Sequence, residues 1–237
     1  MATETATGLK RGLAVLLALE SGEGLGVTRI ADLVGREKSQ VSRTLKVLAE
    51  HGLVERDPDS LAYRLGWRLF ALAAAAGDER LAIAAPPALR GLVHALEEVA
   101  HLSVLQDGGV LTVMSESPPH AVQAVNWVGR VVPVVGTSAG YALLLDHERD
   151  ELGRFGDGDV LWERLVEARA RGFALVDEEF EPGLVAVGAP VRDFRGQIVA
   201  AVNVSAPKFR FGARLEQAGE EVRAVADALS RTLGCTL

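Results

Sequence analysis

The stretch Glu37-Lys38-Ser39-Gln40-Val41-Ser42-Arg43-Thr44-Leu45-Lys46-Val47-Leu48-Ala49-Glu50-His51, closed by Gly52, decides how the first part of the chain is read. Val41, Leu45 and Leu48 recur at i, i+4 and i+7, the spacing of one helical face turned toward a small core. The opposite side carries Lys38, Ser39, Gln40, Ser42, Arg43 and Lys46, which are hydrogen-bond donors or long cations. Such groups suit phosphate oxygens and base edges: an arginine can grip guanine through two hydrogen bonds, and a glutamine can grip adenine. Gly52 stands where a helix commonly ends in a left-handed residue.

Working outward, Leu9, Leu13, Leu16 and Leu17 repeat at helical spacing and stop near Ser21-Gly22-Glu23-Gly24, a turn cluster. Thr28 is placed as the N-cap of a helix carrying Ile30, Leu33 and Val34, with Gly35 ending it. Downstream, Leu53 to Arg56, the turn Asp57-Pro58-Asp59-Ser60, and Leu61 to Arg64 read as a small hairpin bearing Arg56 and Arg64. Trp67 to Ala76 reads as a connecting helix, and Trp67, Leu69, Phe70 and Leu72 give it more apolar surface than a lone helix can hide. A polar face on one isolated helix usually marks solvent. Three helices, a tight turn and a charged hairpin in this order instead predict a winged helix-turn-helix whose second helix enters the major groove.

The rest of the chain has a different texture. A helix is expected from Pro87 to Val99, then a hairpin of Leu102 to Leu105 and Val110 to Met114 around Asp107-Gly108-Gly109. More strand is expected from Val122 to Val135, broken at Gly129-Arg130, followed by a helix after Gly136 and another over Val160 to Arg171. Strands are read at Phe173 to Val176, Leu184 to Arg192 and Gln197 to Ser205, and a last helix over Leu215 to Leu233. Hairpins mixed with helices imply an α+β domain on a curved mixed or antiparallel sheet. The expected divisions are 1–66 for the winged helix-turn-helix, 67–80 for the linker helix and 81–237 for the second domain.

Charge is distributed in keeping with this. The 237 residues carry a formal net charge of −7, from 25 Lys/Arg against 32 Asp/Glu. Residues 1–80 hold 11 of each, so the remaining 157 hold 14 and 21 and carry all of the excess. A neutral arm can approach DNA phosphates that an acidic body would repel. No apolar run is long enough to span a membrane and the amino end does not read as a signal peptide, so a cytoplasmic location is expected. His51, His94, His101, His120 and His147 lack metal-ligand spacing, His101 at a strand start is read as a structural residue in preference to one facing the pocket, and Cys235 stands alone. No metal or cofactor is expected.

Gly12-Leu13-Ala14-Val15-Leu16, Ile30-Ala31, Ser39-Gln40-Val41-Ser42-Arg43, Leu48 to Val54 and Tyr63-Arg64-Leu65-Gly66 resemble the DNA-binding domain of the IclR (isocitrate lyase regulator) transcription factors. Trp127-Val128-Gly129, Thr137 to Leu144, Arg171 to Ala174, Glu178-Glu179 and Ala189 to Asp193 resemble that family's effector domain. The resemblance runs over nearly the whole chain in the right order. It implies dimers paired through the amino-terminal domains, or dimers of dimers, on a palindromic operator in double-stranded DNA. It implies, too, a small organic effector held on the sheet, and a regulator, chiefly a repressor, of a metabolic or catabolic operon.

Carried onto this chain, the family's small-residue loop is Thr137, Ser138, Ala139 and Gly140, whose amides open a helix. The last strand supplies Asn203 and Ser205, which alternate onto one face. Ala186 stands where a cysteine is common in the family, and Tyr141 where a cation usually follows the loop. With Met114 and Trp127 placed nearby, the pocket is expected to be apolar and to suit an aromatic or extended effector. A rival reading takes Gly136-Thr137-Ser138-Ala139-Gly140 as the Gly-x-Ser-x-Gly elbow of a hydrolase. A triad of that kind needs an acid and then a late histidine, and His147, nine residues on, is the only histidine after Ser138. The chain is therefore read as a regulator and not an enzyme, and residues 9–66 argue against a ligand-binding module without DNA.

Overall fold

The computed structural model describes residues 2–20, 22–76, 79–119 and 127–236. It divides into two compact units, residues 1–78 and 79–237.

In the first unit, helices α1 (Ala2–Ala18), α2 (Val27–Val34) and α3 (Lys38–Glu50) precede a two-stranded hairpin, β1 (Val54–Arg56) and β2 (Tyr63–Leu65), and helix α4 (Trp67–Ala76). The core gathers Val15 and Leu19 of α1, Ile30 and Ala31 of α2, and Val41, Leu45 and Leu48 of α3, under Val54 and Tyr63 of the hairpin. Leu25 bridges Tyr63 through paired backbone bonds of 2.9 and 2.8 Å, anchoring the hairpin to the helices. The second helix begins two residues earlier than Thr28 suggests. Its N-cap is Gly26, with no side-chain cap, because burying Ile30 and Ala31 outweighs the single capping bond that Thr28 offers. Gly35 ends it in the left-handed conformation, φ 61°. Gly66 is required by close approach: a Cβ there would stand 2.2 Å from the Gly52 carbonyl oxygen.

The second unit is an antiparallel sheet in the order β5-β4-β3-β8-β7-β6, with every pairing antiparallel. Its strands are β3 (Val99–Gln106), β4 (Gly109–Glu116), β5 (Val131–Val132), β6 (Ala174–Asp177), β7 (Leu184–Arg192) and β8 (Ile198–Pro207). Asp107 and Gly108, both at positive φ, make the two-residue turn between β3 and β4 that the twist of the strands favours. One face of the sheet packs Ala100, Leu102, Val187, Val202 and Val204 against helices α5 (Glu79–Leu96) and α9 (Leu215–Thr232). The other packs Ala174, Val176, Ala186 and Ala201 against α6 (Ser138–Leu143) and α7 (Gly158–Arg171). A short helix, α8 (Lys208–Phe211), links β8 to α9.

Helix α5 starts well before Pro87, and both Pro86 and Pro87 lie inside it. Leu81, Ala85, Leu89, Leu92 and Leu96 form one stripe against the sheet, and that burial outweighs the hydrogen bonds the prolines remove. Of the strand expected from Val122 to Val135, Val131–Val132 is present, and residues 122–126 lie outside the described residues. Among the described residues no helix is long and apolar enough to cross a membrane.

Candidate functional site

On α3 the two faces separate as the spacing requires. Val41, Leu45 and Leu48 are buried, while Lys38, Ser39, Ser42, Arg43 and Lys46 are exposed. Ser39, Ser42, Arg43 and Lys46, at i, i+3, i+4 and i+7, form one continuous stripe. Arg43 Nε donates to the Ser39 carbonyl at 3.3 Å, which lays its side chain back along the helix. Gln40 is half-buried and lines a groove beside α1 with Lys10, Arg11 and Arg36, so it is turned away from the stripe. The hairpin arginines already have neighbours: Arg64 lies 3.7 Å from Glu55, and Arg56 sits 5.5 Å above the Tyr63 ring.

In the second unit a cavity opens on the sheet face that carries α6. The space open to the centre of a water molecule is about 60 Å³, and the atom-free volume, counted out through the mouth, is about 530 Å³. Its floor is polar. His101 and Ser103 come from β3, Thr112 from β4, and Asn203 and Ser205 from β8. Alternation places these inward while Ala100, Leu102, Val202 and Val204 face the opposite core. His101 is buried between two hydroxyls, with Nε2 3.1 Å from Ser205 Oγ and Nδ1 3.0 Å from Ser115 Oγ. Burial lowers its pKa to about 4, so the imidazole is neutral near pH 7. Ser103 Oγ donates to Asn203 Oδ1 at 3.4 Å and lies 3.4 Å from Thr112 Oγ1.

The walls are apolar: Val110, Val132, Val176, Leu184 and Ala186. Trp127 and Phe180 meet edge to face at 5.6 Å on the same lining. The roof is the start of α6. Thr137 caps that helix, its Oγ1 accepting from Gly140 N at 3.2 Å and donating to Val134 O at 2.9 Å. Gly188 of β7 lets the helix sit down on the sheet, since a Cβ there would lie 2.6 Å from the Ser138 carbonyl oxygen. Ser138 Oγ is buried against the cavity and has no hydrogen-bond partner. The phenol of Tyr141, the next residue after the loop, accepts from Gly136 N and donates to Glu179, both at 2.9 Å.

Of the residues expected to hold an effector, Trp127, Thr137, Ser138, Ala139, Ala186, Asn203 and Ser205 line this cavity. Met114 does not. The β3–β4 pairing runs Leu102 with Met114 and then Ser103 with Thr112, skipping Val113. That bulge turns Thr112 into the cavity and Met114 toward the α5–α9 core, although two residues of a regular strand share a face. Gly140 lies behind the roof, where a Cβ would meet the Val134 carbonyl oxygen at 2.2 Å. Ser103 and Thr112 were missed, and His101, weighed as facing the pocket, was read as structural instead. The alternation that points to Asn203 and Ser205 applies equally to β3 and would have found His101 and Ser103.

Two family models match the chain: the IclR helix-turn-helix domain over residues 8–58, and the bacterial transcriptional regulator IclR C-terminal domain over residues 73–231. The chain belongs to the IclR family of transcriptional regulators. It is 34% identical to the glycerol operon regulatory protein of Streptomyces griseus, over 95% of this chain and 96% of that one. It is 32% identical to the transcriptional regulator BhcR of Paracoccus denitrificans, over 94% and 85%. Among solved structures, the IclR protein of Thermotoga maritima superposes with a TM-score of 0.71 at 23% identity, covering 97% of this chain and 99% of that one. An IclR homologue of Microbacterium hydrocarbonoxydans, solved in complex with 4-hydroxybenzoate, superposes at 0.70 with 24% identity over 95% and 98%. This IclR-family chain is a transcriptional regulator and not a hydrolase, and its Gly136–Gly140 pentapeptide forms the entry into α6, with Thr137 as the cap.

Proposed function

We propose that this regulator represses a catabolic operon by seating α3 in the major groove of a palindromic operator, and that a ring-sized organic effector in the sheet cavity releases it. The carrying observation is the cavity itself, a roofed space whose buried hydroxyl, Ser138 Oγ, has no partner among the described residues. Buried polar atoms are nearly always satisfied, so an orphan facing a cavity points to a ligand. The Trp127–Phe180 pair on the lining and the 4-hydroxybenzoate bound by the Microbacterium relative both support a ring. Fluorescence anisotropy on operator DNA tests the reading: DNA held without effector and released by a ring compound supports it, and DNA bound only with effector reverses the sign.

On the DNA side we assign reading to Ser39, Ser42, Arg43 and Lys46, with Lys38 at the helix start and Arg56 and Arg64 of the wing on phosphates. Gln40 is placed less favourably by its burial against α1. Arg43→Ala should weaken operator binding by about 1–3 kcal/mol without altering the fold. Unchanged affinity would move the reading face elsewhere.

Assembly follows from exposed apolar surface. Leu9, Leu13 and Leu17 lie exposed along α1, and Leu72 on α4, where the Phe70 side chain lies outside the described residues. Soluble monomers rarely leave such a row uncovered. A dimer covering it, which also matches a two-fold operator, is expected by light scattering at micromolar concentration. A monomer there would defeat the arrangement.

A further inference from the structure

Among the described residues the sheet cavity is polar but carries no countercharge: none of the side chains lining it is Lys, Arg, Asp or Glu. His101, the one ionisable group on the lining among the described residues, is neutral at working pH because burial depresses its pKa to about 4. Tyr141, which follows the roof loop, is uncharged, and its phenol is taken up by Gly136 N and the Glu179 carboxylate. That carboxylate is itself paired with Arg164. An anion entering this space would leave water and meet, among the described residues, only hydroxyls and the backbone amides that open the six-residue α6, with no cation to offset its desolvation, which is costly.

A neutral ligand meets different terms. Ser138, Ser205 and Thr112 are hydroxyls, each able to donate or accept, and the Asn203 amide offers both functions. Ser205 adapts further, because the neutral imidazole of His101 can give or take the proton between Nε2 and Ser205 Oγ. The space accommodates roughly four to six waters, at about 10–15 Å³ of such volume each, which is the bulk of one substituted ring. We propose that the cavity selects an uncharged, ring-sized ligand bearing a hydroxyl or carbonyl group, which Ser138 Oγ binds, and discriminates against the corresponding carboxylate. The inference rests on the reading of this cavity as the effector site.

The test uses two matched pairs of probes on the full-length protein, by isothermal titration calorimetry at pH 7.5. The pairs are 4-hydroxybenzamide with 4-hydroxybenzoate, and cyclohexanecarboxamide with cyclohexanecarboxylate. Each amide should bind at least about tenfold more tightly than its carboxylate. In Ser138→Ala, amide affinity should fall about fivefold and the amide-to-carboxylate ratio should narrow. That variant removes a hydroxyl with no partner among the described residues, so no hydrogen bond described in the fold is lost with it. Carboxylates binding as tightly as the amides, or more so, overturn the neutral-ligand inference and leave the effector site standing. Amide preference unchanged in Ser138→Ala overturns the role given to Ser138. Binding by none of the four overturns the inference together with the ring-effector reading beneath it.

Discussion

Arg210→Ala is expected to cost the second unit about 3 kcal/mol of stability. Glu98, at the junction of α5 and β3, is 1% exposed, a depth at which a carboxylate must be paired. Arg210 on α8 grips both of its oxygens, through Nε and through Nη2 at 2.8 Å, and this pairing raises the pKa of the guanidinium above its ordinary value. Removing the arginine leaves a buried negative charge with no compensation, which is more damaging than losing an attraction. The Arg210 side chain is 32% exposed, so water partly replaces it, and the loss falls at the low end for a broken buried pair. Denaturant unfolding of wild type and variant measures it. Replacing both partners, as Glu98→Gln with Arg210→Met, should recover most of the loss, because no charge then remains buried. A cost below about 1 kcal/mol for Arg210→Ala would show that the pair behaves as an exposed one.

How much of this was legible in the residues depended on the range of the interactions involved. The α3 stripe could be read directly, since Val41, Leu45 and Leu48 need only the helical period to find one another. Gly35, Gly52 and the Asp107-Gly108 turn were legible for the same local reason, each marking a left-handed backbone position. Asn203 and Ser205 followed from alternation within one strand. Met114 was misplaced because its facing depends on a bulge at Val113, which arises from how β4 pairs with β3 and leaves no mark in either strand's composition. The start of α5 was missed because proline is a local signal against a helix, while the stripe from Leu81 to Leu96 is satisfied only by distant strands.

The polar floor shows a different limit. His101 stands at the start of β3, and a single histidine on an apolar strand reads as a satisfied structural group. It is satisfied, but by Ser205 and Ser115 on the two neighbouring strands, and that pairing puts it inside the cavity. A structural role and a place in the site are the same fact here. The strand order β4-β3-β8 makes it so, and order cannot be read from β3 alone.

That placement gives the last expectation, a loss of stability in mild acid centred on His101. Its folded pKa is about 4 against an ordinary 6.5, and burial is the cause. The two serine hydroxyls could accept from an imidazolium, so the hydrogen bonds themselves do not forbid protonation; the loss of water around the charge does. Because the folded value is the lower one, the unfolded chain binds more protons between about pH 6.5 and pH 4. Stability is therefore fully present above about pH 6.5 and declines as the pH falls toward 4, by at most about 1.4 kcal/mol per unit and about 3 kcal/mol in all. His147, whose pKa burial also lowers, titrates in the same sense, so a comparison is needed that holds it constant. His101→Gln supplies one, since the amide can donate and accept between Ser115 and Ser205 but cannot be charged. The stability of wild type relative to this variant should fall steadily from pH 7 to pH 4. A titration of the wild-type imidazole followed by NMR should place its midpoint well below that of an exposed histidine. Parallel stability curves for the two proteins would mean that His101 is reached by water in the folded state, and the neutral floor of the cavity would fall with it.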